Sequence, residues 1–199
     1  MRLPILRYGT PVLRMKGRRI EQIDDRIRQL AADMIETMHE GNGVGLAAQQ
    51  IGEALQLTVV DVSQVEDRPS TLKLNGQPMD PKFAAPLVLI NPEIELGKAT
   101  TIGIEGCLSF PEITGDIERA ETVRARAQTL DGSDIELEAS GLLARVLQHE
   151  IDHLNGILFI DRMNSAAKAA LASRLKKMQK ETERGMRKGR RSLEPEAAL

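Results

Sequence analysis

The stretch that most constrains this chain is residues 148–156, with the sequence Q-H-E-I-D-H-L-N-G, which holds two of its three histidines. In a helix, His149 and His153 are four residues apart, so both imidazoles project from one face and can bind one metal ion. Glu150 then lies beside them, within reach of a water on that metal. The alternative is a solvated helix face without a metal, because the same pattern also arises by chance.

The residues around this motif predict a buried helix. Apolar side chains recur at spacings of three and four, and Gly156 follows as a stop signal. The apolar stripe consists of Leu142, Leu143, Val146, Leu147, Ile151 and Leu154. Such a helix packs against other elements, so the histidines lie at the edge of a core. This position suits metal ligands, because an unpaired polar group there would cost free energy.

The number of available ligands separates two classes of metal site. A structural zinc site is closed by four protein ligands, usually rich in cysteine, whereas a catalytic site uses three and keeps an open position. This chain has one cysteine, and its remaining histidine, His39, lies at the end of a separate predicted helix. A closed site would need His39 or a carboxylate as the fourth ligand. The open, catalytic site needs only one further residue and is the simpler interpretation.

Three kinds of residue are candidates for that further ligand. Peptidases with the motif H-E-x-x-H-x-x-G-x-x-H use a final histidine, and Phe159 stands at that position, so this class is excluded. A downstream glutamate would have to be Glu181 or Glu183, in a Lys- and Arg-rich tail that is a poor place for an ordered ligand. Cys107, in the segment E-G-C-L-S, is the favoured ligand. Its alternative role is that of a small apolar filler.

The length and composition indicate an ordinary globular protein. The 199 residues suit one domain with its own core, and 41% hydrophobic and 28% charged residues are typical values. With no Trp, one Tyr and three Phe, the chain lacks a platform on which nucleic acid bases stack, which argues against sequence-specific nucleic acid binding. A single cysteine excludes an internal disulfide, and a thiolate ligand needs a reducing compartment. No signal peptide or membrane-length apolar run is present, so we expect a cytoplasmic protein without a membrane partner.

The order of elements along the chain predicts an α+β fold with mainly antiparallel sheets, because strands precede the motif helix without strand–helix–strand alternation. A first helix is expected from Asp24 or Asp25, as the capping residue, to Gly41. Strands are expected at residues 57–62, 87–90, 93–96 and 101–104, and a hairpin at residues 122–130 and 134–138 around Asp131-Gly132.

The connections between these elements are predicted from proline and glycine. Turns are expected at Asn91-Pro92 and at Gly97. Residues 63–86 are polar and interrupted by prolines. We therefore expect them to form a long surface loop with little core.

The carboxy-terminal segment differs in charge from the rest of the chain. Residues 168–191 contain ten Lys and Arg against two Glu, although the net charge of the whole chain is −2. Residues 166–178 predict an exposed helix, and the chain beyond Gly185 is expected to fray. One interpretation is a solvated helix with a disordered end. The other is an electrostatic contact with RNA or another acidic surface.

Three motifs in this order resemble the peptide deformylase family: G-V-G-L-A-A-Q-Q at residues 43–50, E-G-C-L-S at 105–109 and the motif at 148–156. Members hydrolyse the formyl group from the initiator methionine of new polypeptides and release formate. The resemblance covers about residues 5–163 and implies an α+β fold in which antiparallel sheets pack around the motif helix. It also implies one divalent metal, typically Fe(II), with Zn(II), Ni(II) or Co(II) as substitutes. We accordingly expect a catalytic domain over residues 1–164 and a basic helix with a flexible tail over residues 165–199.

The resemblance also implies roles for residues at the matching motif positions. The metal ligands would be Cys107, His149 and His153. Glu150 would be the general base that takes a proton from the attacking water and passes it to the departing amine. The Gln50 side-chain amide and the Leu108 backbone N–H would donate hydrogen bonds to the oxyanion that forms.

Substrate contacts follow from the same resemblance. The methionine side chain would occupy an apolar slot beside the motif helix, lined by Val44, Leu142 and Val146, although each of these is also plausible as ordinary core. Gly45 and Gly106 would hold the peptide backbone through main-chain hydrogen bonds, in the manner of an added strand. The expected partner is therefore an N-formyl-Met nascent peptide, with ribosome contact through the basic carboxy-terminal segment as a hypothesis.

The chain departs from the family pattern at two places. The segment 63–86 is longer than the short connection usual in the family. Some members carry an arginine shortly after the residue equivalent to Pro111, which contacts the downstream peptide; here Arg119 is the expected substitute. Two rival functions remain: a metallopeptidase that uses the same helix, and a catalytically inert ribosome-associated binding protein. An inert relative would be expected to lose Glu150, Gln50 or Cys107, and all three are present.

Overall fold

The computed structural model of the chain describes residues 1–191 and has the predicted α+β architecture. Its helices are α1 (Asp25–Glu40), α2 (Pro81–Ala84), α3 (Gly141–Leu154), α4 (Phe159–Arg162) and α5 (Ser165–Arg191). Its strands are β1 (Gly45–Ala47), β2 (Leu57–Val60), β3 (Ser70–Leu74), β4 (Gln77–Met79), β5 (Leu87–Leu96), β6 (Thr100–Gly106), β7 (Thr114–Ala120), β8 (Thr122–Gln128) and β9 (Asp134–Ser140). Short 3-10 helices cover Pro11–Arg14 and Ala48–Ile51.

Two antiparallel sheets enclose the motif helix. The larger sheet has the strand order β1-β2-β5-β8-β9-β3-β4, and β6 and β7 form a separate pair. Helix α3 packs against β1, β2 and β3 of the larger sheet and against β7 of the smaller one. Every residue of α3 after Gly141 is buried. The predicted apolar stripe therefore packs in the core.

Helix α1 confirms the predicted capping signals. The Asp24 side chain accepts a hydrogen bond from the Ile27 backbone N–H at 3.0 Å, and the helix ends at Gly41. Met34 and Met38 are buried against β2 and the β1 segment. The packing of α1 therefore fixes the point from which the glycine-rich loop at residues 41–44 departs.

The expectation that residues 63–86 form a surface loop is wrong. The segment contains β3, β4 and α2, and β3 pairs with β9 at the edge of the larger sheet. Asn75 and Gly76 make the tight turn with φ values of 49° and 79°, the left-handed conformation that an Asn-Gly hairpin requires. Leu72 is only 3% exposed and belongs to a core cluster that also packs on α3. The Asn-Gly pair was the sequence signal for this hairpin.

The strand boundaries near Asn91 also differ from the prediction. Instead of a turn at Asn91-Pro92, β5 continues to Leu96, with a register shift against β8 between Ile90 and Glu93. Asn91 has a φ of 51°. Its side chain both accepts from and donates to the backbone of Ile20 at 2.8 Å. These hydrogen bonds, made to a residue far away in the sequence, stabilise the register shift between β5 and β8.

Strand β7 was not predicted from the sequence, although the hairpin of β8 and β9 was. β7 pairs along its length with β6, from Gly106 opposite Thr114 to Thr100 opposite Ala120. Its side chains do not alternate regularly between apolar and polar types. The signal in this segment was therefore weak, and pairing with β6 decides its conformation.

The carboxy-terminal helix is longer than expected, and residues 166–178 are largely exposed, as predicted. α5 continues through Gly185 to Arg191, and Leu175 is buried in a cluster with Leu13, Phe110 and Phe159. Fraying was expected beyond Gly185, but residues 186–191 belong to α5, and the rest of the expected tail, residues 192–199, lies outside the described residues. Among residues 1–191, no helix is long and apolar enough to cross a membrane.

Candidate active site

A cleft of about 510 Å³ lies between α3, the loop that follows α1, and the chain leaving β6. The structure brings ten of the eleven predicted site residues to the wall of this cleft. They are Val44, Gly45, Gln50, Gly106, Cys107, Leu108, Leu142, Val146, His149 and Glu150. The eleventh, His153, lies directly behind Cys107, with its Nε2 atom 3.3 Å from the Cys107 Sγ atom.

One face of α3 forms the floor of the cleft. Leu142, Val146 and His149 are separated by four and three residues, so they project from the same side of the helix. Leu142 and Val146 also belong to the core cluster under the larger sheet. They therefore line the cleft and pack the core at the same time, which reconciles the two roles considered for them.

Cys107, His149 and His153 form a compact group of metal-ligating side chains. One ligand atom from each lies within 4.8 Å of the others, a spacing that lets three ligands at about 2.0–2.3 Å surround one ion. The Nδ1 atom of His149 is bound to Glu105, at 2.9 Å, so its Nε2 atom is the one left to face the group. A thiolate and two imidazoles are donors that Zn(II) and Fe(II) accept. The residues present thus fit the divalent metal implied by the motifs.

His39 does not complete a closed four-ligand site. It pairs instead with Asp61, with its Nε2 atom 2.8 Å from the Asp61 Oδ2 atom. Within residues 1–191, the Cys107 group contains three candidate ligands. The open, three-ligand arrangement is therefore the one that the geometry supports.

A buried charge network supports His149 from behind. Glu105 accepts hydrogen bonds from His149, from Arg119 through two nitrogens, and from Arg145. Burial opposes ionisation, but the hydrogen bonds from His149 and Arg119 lower the pKa of Glu105 to about 2. The ionised Glu105 holds the orientation of the His149 ring, as carboxylates behind metal-binding histidines commonly do.

The expectation that Arg119 contacts a downstream peptide is wrong. Arg119 is buried and its guanidinium is fully used by Glu105 and by Asp152 on α3. Sequence reasoning missed Glu105 and Arg145 as parts of the site. The available signals were the position of Glu105 in E-G-C-L-S, and the location of Arg145 one helical turn before His149.

Glu150 is buried beside the metal-ligating group with one carboxylate oxygen unpaired. It is 4% exposed, lines the cleft, and its Oε2 atom has no hydrogen-bond partner within the described residues. Burial raises the pKa of Glu150 to about 7. A carboxylate with such a pKa can both take up and release a proton near neutral pH.

The β1 strand approaches Glu150 so closely that only glycine is accommodated at position 45. A Cβ atom there would lie 2.4 Å from the Glu150 Oε1 atom and 2.8 Å from its Cδ atom. The absence of a side chain at Gly45 is thus explained by contact with the carboxylate.

Gln50 presents its amide nitrogen to the same place. Its Oε1 atom accepts a hydrogen bond from the Ala47 backbone N–H at 2.8 Å, which fixes the orientation of the amide. Its Nε2 atom then lies 3.4 Å from the Cys107 Sγ atom and 3.4 Å from the Ser109 hydroxyl. Leu108, next to Cys107, lines the cleft on the same side. The arrangement offers hydrogen-bond donors beside the metal-ligating group.

Comparison with known proteins identifies close relatives over most of the chain. The sequence profile of the polypeptide deformylase family matches residues 2–169. A peptide deformylase from Opitutus terrae is 45% identical over 92% of this chain and 95% of its own length. One from Methylacidiphilum infernorum is 42% identical over 90% of this chain and 94% of its own length.

Solved structures give the same relationship. A plant peptide deformylase superposes with a TM-score of 0.79 and 32% identity, covering 92% of both chains. The peptide deformylase of Synechococcus elongatus, solved in complex with actinonin, superposes with a TM-score of 0.74 and 39% identity, covering 86% of this chain and 87% of its own.

Proposed function

The chain belongs to the polypeptide deformylase family, and from that premise we propose how its own residues carry out the reaction. As a member of the family it is a metal-dependent hydrolase that removes the N-formyl group from newly made polypeptides. The observation that carries the assignment of roles is the convergence of Cys107, His149 and His153 beside Glu150 in one cleft.

Cys107, His149 and His153 would hold the metal ion. When bound, this ion supplies Lewis acidity to the formyl oxygen and acidifies a water molecule. We take Fe(II) as the ion in the cell because it is the metal that the resemblance to the family implies, and Zn(II), Ni(II) or Co(II) as substitutes because the same donor set suits them. Glu105 keeps the His149 ring oriented for this task through the 2.9 Å hydrogen bond to Nδ1.

Glu150 is the general base and then the general acid. Its unpaired Oε2 atom accepts the proton of the attacking water and later delivers it to the amine nitrogen that leaves. The pKa near 7 supports both halves of this transfer, since the group changes protonation state with little driving force in either direction.

Gln50 and Leu108 stabilise the negative charge that develops on the formyl oxygen. The Gln50 Nε2 atom is held by the bond from Ala47 to its own carbonyl oxygen, so the donor is oriented before the substrate arrives. Preorganised donors of this kind typically contribute about a hundredfold or more to the rate. The Leu108 backbone N–H is the second donor.

The rest of the cleft selects the substrate. The methionine side chain occupies the slot along α3 formed by Val44, Leu142 and Val146, and the peptide backbone bonds to Gly45 and Gly106. A formyl carbon carries only hydrogen, so the narrow space beside Glu150 admits it and excludes larger acyl groups.

The test is formate release from a formyl-Met peptide by protein purified without oxygen and loaded with metal, with the acetyl-Met peptide as control. We expect formate from the first peptide and no hydrolysis of the second. Equal turnover of both peptides, or of neither, would contradict the assignment. Cleavage at internal peptide bonds would favour the rival metallopeptidase.

Ribosome contact and a cytoplasmic location are part of the same proposal. Helix α5, which begins the basic segment 165–199, exposes Lys176, Lys180 and Arg184 on its surface. Its acidic partner would be ribosomal RNA near the site where nascent chains emerge, the catalytic domain being residues 1–164. Replacing these three residues by Gln should weaken co-sedimentation with ribosomes at low salt. Unchanged co-sedimentation would contradict the contact.

A further inference from the structure

The metal cleft adjoins a second cavity, and Arg145 lies between the two. The second cavity has a volume of about 730 Å³ and runs along the first half of β6 and the start of α3. Four residues line both cavities: Arg68, Ile104, Leu142 and Arg145. The wall between the cavities is therefore only one layer of side chains thick.

Arg145 is the member of this wall that crosses from the helix to the smaller sheet. Its Nη1 atom donates to the Ile117 carbonyl at 2.8 Å and to Glu105 at 2.9 Å, and its Nη2 atom donates to the Thr101 carbonyl at 2.9 Å. Arg145 is only 6% exposed. Because several fixed acceptors hold its guanidinium, the side chain cannot swing aside without leaving buried polar groups unpaired.

The β6 backbone closes the wall from the opposite side. A Cβ atom at Gly103 would lie 3.0 Å from both the Cζ and Nη2 atoms of Arg145. Glycine therefore lets the strand come against the face of the guanidinium. The Gly103 backbone and the Arg145 side chain are therefore in close contact at this point.

Arg145 also lines the metal cleft together with the residues of the methionine slot. It follows Leu142 by three residues and immediately precedes Val146, the two α3 residues assigned to that slot. We propose, building on the function proposed above, that Arg145 is the end wall of the slot and limits the length of the first side chain. Removing the end wall connects the slot to the second cavity, which has space for additional methylene groups.

The experiment measures side-chain length against rate. The substrates are formyl-norleucyl-Ala-Ser, whose side chain matches methionine in length, and formyl-2-aminooctanoyl-Ala-Ser, which is two methylenes longer. We expect the metal-loaded wild type to favour the shorter substrate in kcat/KM by at least about tenfold, since one methylene in a closed pocket changes the rate about 10- to 200-fold. In Arg145→Ala that preference falls by at least about tenfold.

Arg119→Ala is the matched control. Arg119 also donates to Glu105, but it lines neither cavity. Its removal is expected to lower kcat/KM for both substrates and to leave their ratio unchanged. An equal fall of the ratio in Arg119→Ala would overturn the proposal, because the effect would then come from loosening Glu105. An unchanged ratio in Arg145→Ala would overturn it directly.

A binding measurement keeps the proposal testable if Arg145→Ala folds but does not turn over. The deformylated peptides norleucyl-Ala-Ser and 2-aminooctanoyl-Ala-Ser, titrated calorimetrically into metal-loaded protein, should show the same loss of length preference in Kd. Equal preference in variant and wild type would contradict the proposal. If the wild type does not hydrolyse formyl-Met-Ala-Ser, the proposed function is refuted. If it hydrolyses that peptide but accepts the longer side chain equally well, only the role of Arg145 as the end wall is refuted.

Discussion

Replacing Gly45 by Ala should disable the enzyme without removing its metal. The added Cβ atom would lie 2.4 Å from the Glu150 Oε1 atom and 2.8 Å from its Cγ and Cδ atoms. Ordinary contacts of a Cβ atom begin near 3.4 Å, so the carboxylate or the β1 backbone must move by about 1 Å. Neither moves freely, because Glu150 is buried on α3 and β1 is paired with β2 from Gly45 to Ala47.

The size of the effect follows from that displacement. A misplacement of about 1 Å in a reacting group costs about a hundredfold in rate, or about 2.7 kcal/mol of transition-state stabilisation at 1.36 kcal/mol per factor of ten. The three atoms nearest to the new methyl group all belong to Glu150, and none belongs to Cys107, His149 or His153. We therefore expect kcat to fall about a hundredfold while the metal content stays at the wild-type level.

The assay is formate release at saturating formyl-Met peptide, together with metal analysis and a thermal melt. Gly185→Ala is the matched control, since a Cβ atom there meets nothing within 4 Å, and its kcat should equal that of the wild type. A folded Gly45→Ala protein with kcat within about threefold of wild type would refute the argument, because Glu150 could not then act from its position against β1.

Glu150→Gln should keep the metal and lose at least about a hundredfold in kcat, because an amide cannot take up the proton; normal turnover, or loss of the ion by metal analysis, would contradict the assigned role. Leu72→Ala should lower the free energy of unfolding by about 2–5 kcal/mol in urea titrations, whereas a change within about 0.5 kcal/mol would mean that β3 adds little to the core. For Asp161, burial by itself would raise the pKa, but the hydrogen bond from Arg14 lowers it, and the resulting pKa is below the usual 3.8. The ionised Asp161 therefore stabilises the fold above about pH 3.8, and this stabilisation is lost as the pH falls through the pKa that Asp161 has in the folded protein. Asp161→Asn should therefore destabilise the protein by up to about 1 kcal/mol at pH 7 and by less near pH 3, and an equal loss at both pH values would exclude the ion pair as the cause.

Several features of this protein depend only on local sequence. The helix at residues 141–154 follows from an apolar stripe with the helical period, and α1 follows from its Asp24 cap and the glycine at its end. The hairpin of β8 and β9 follows from alternation around Asp131-Gly132. The three motifs predicted the family, because their residue types and order are specific, and the comparisons agree with that prediction.

Other features depend on partners far away in the chain. β7 exists because it pairs with β6, and β5 passes through Asn91 without a turn because Ile20 satisfies the Asn91 side chain. Leu175 of the long α5 is buried only because Leu13 and Phe110 lie where it can reach them. Local sequence preferences do not predict such contacts, because the segments that form each contact come together only in the folded chain.

The motif helix shows the same division. Its sequence alone determined that two histidines and a glutamate share one stretch of helix, and that a third ligand had to come from elsewhere. Only the tertiary structure decided that Glu105 and two buried arginines stand behind His149, that Arg119 is unavailable to substrate, and that Gly45 lies against Glu150. The reason is physical: residue spacing fixes directions along one helix, whereas distances between elements are set by how the core packs.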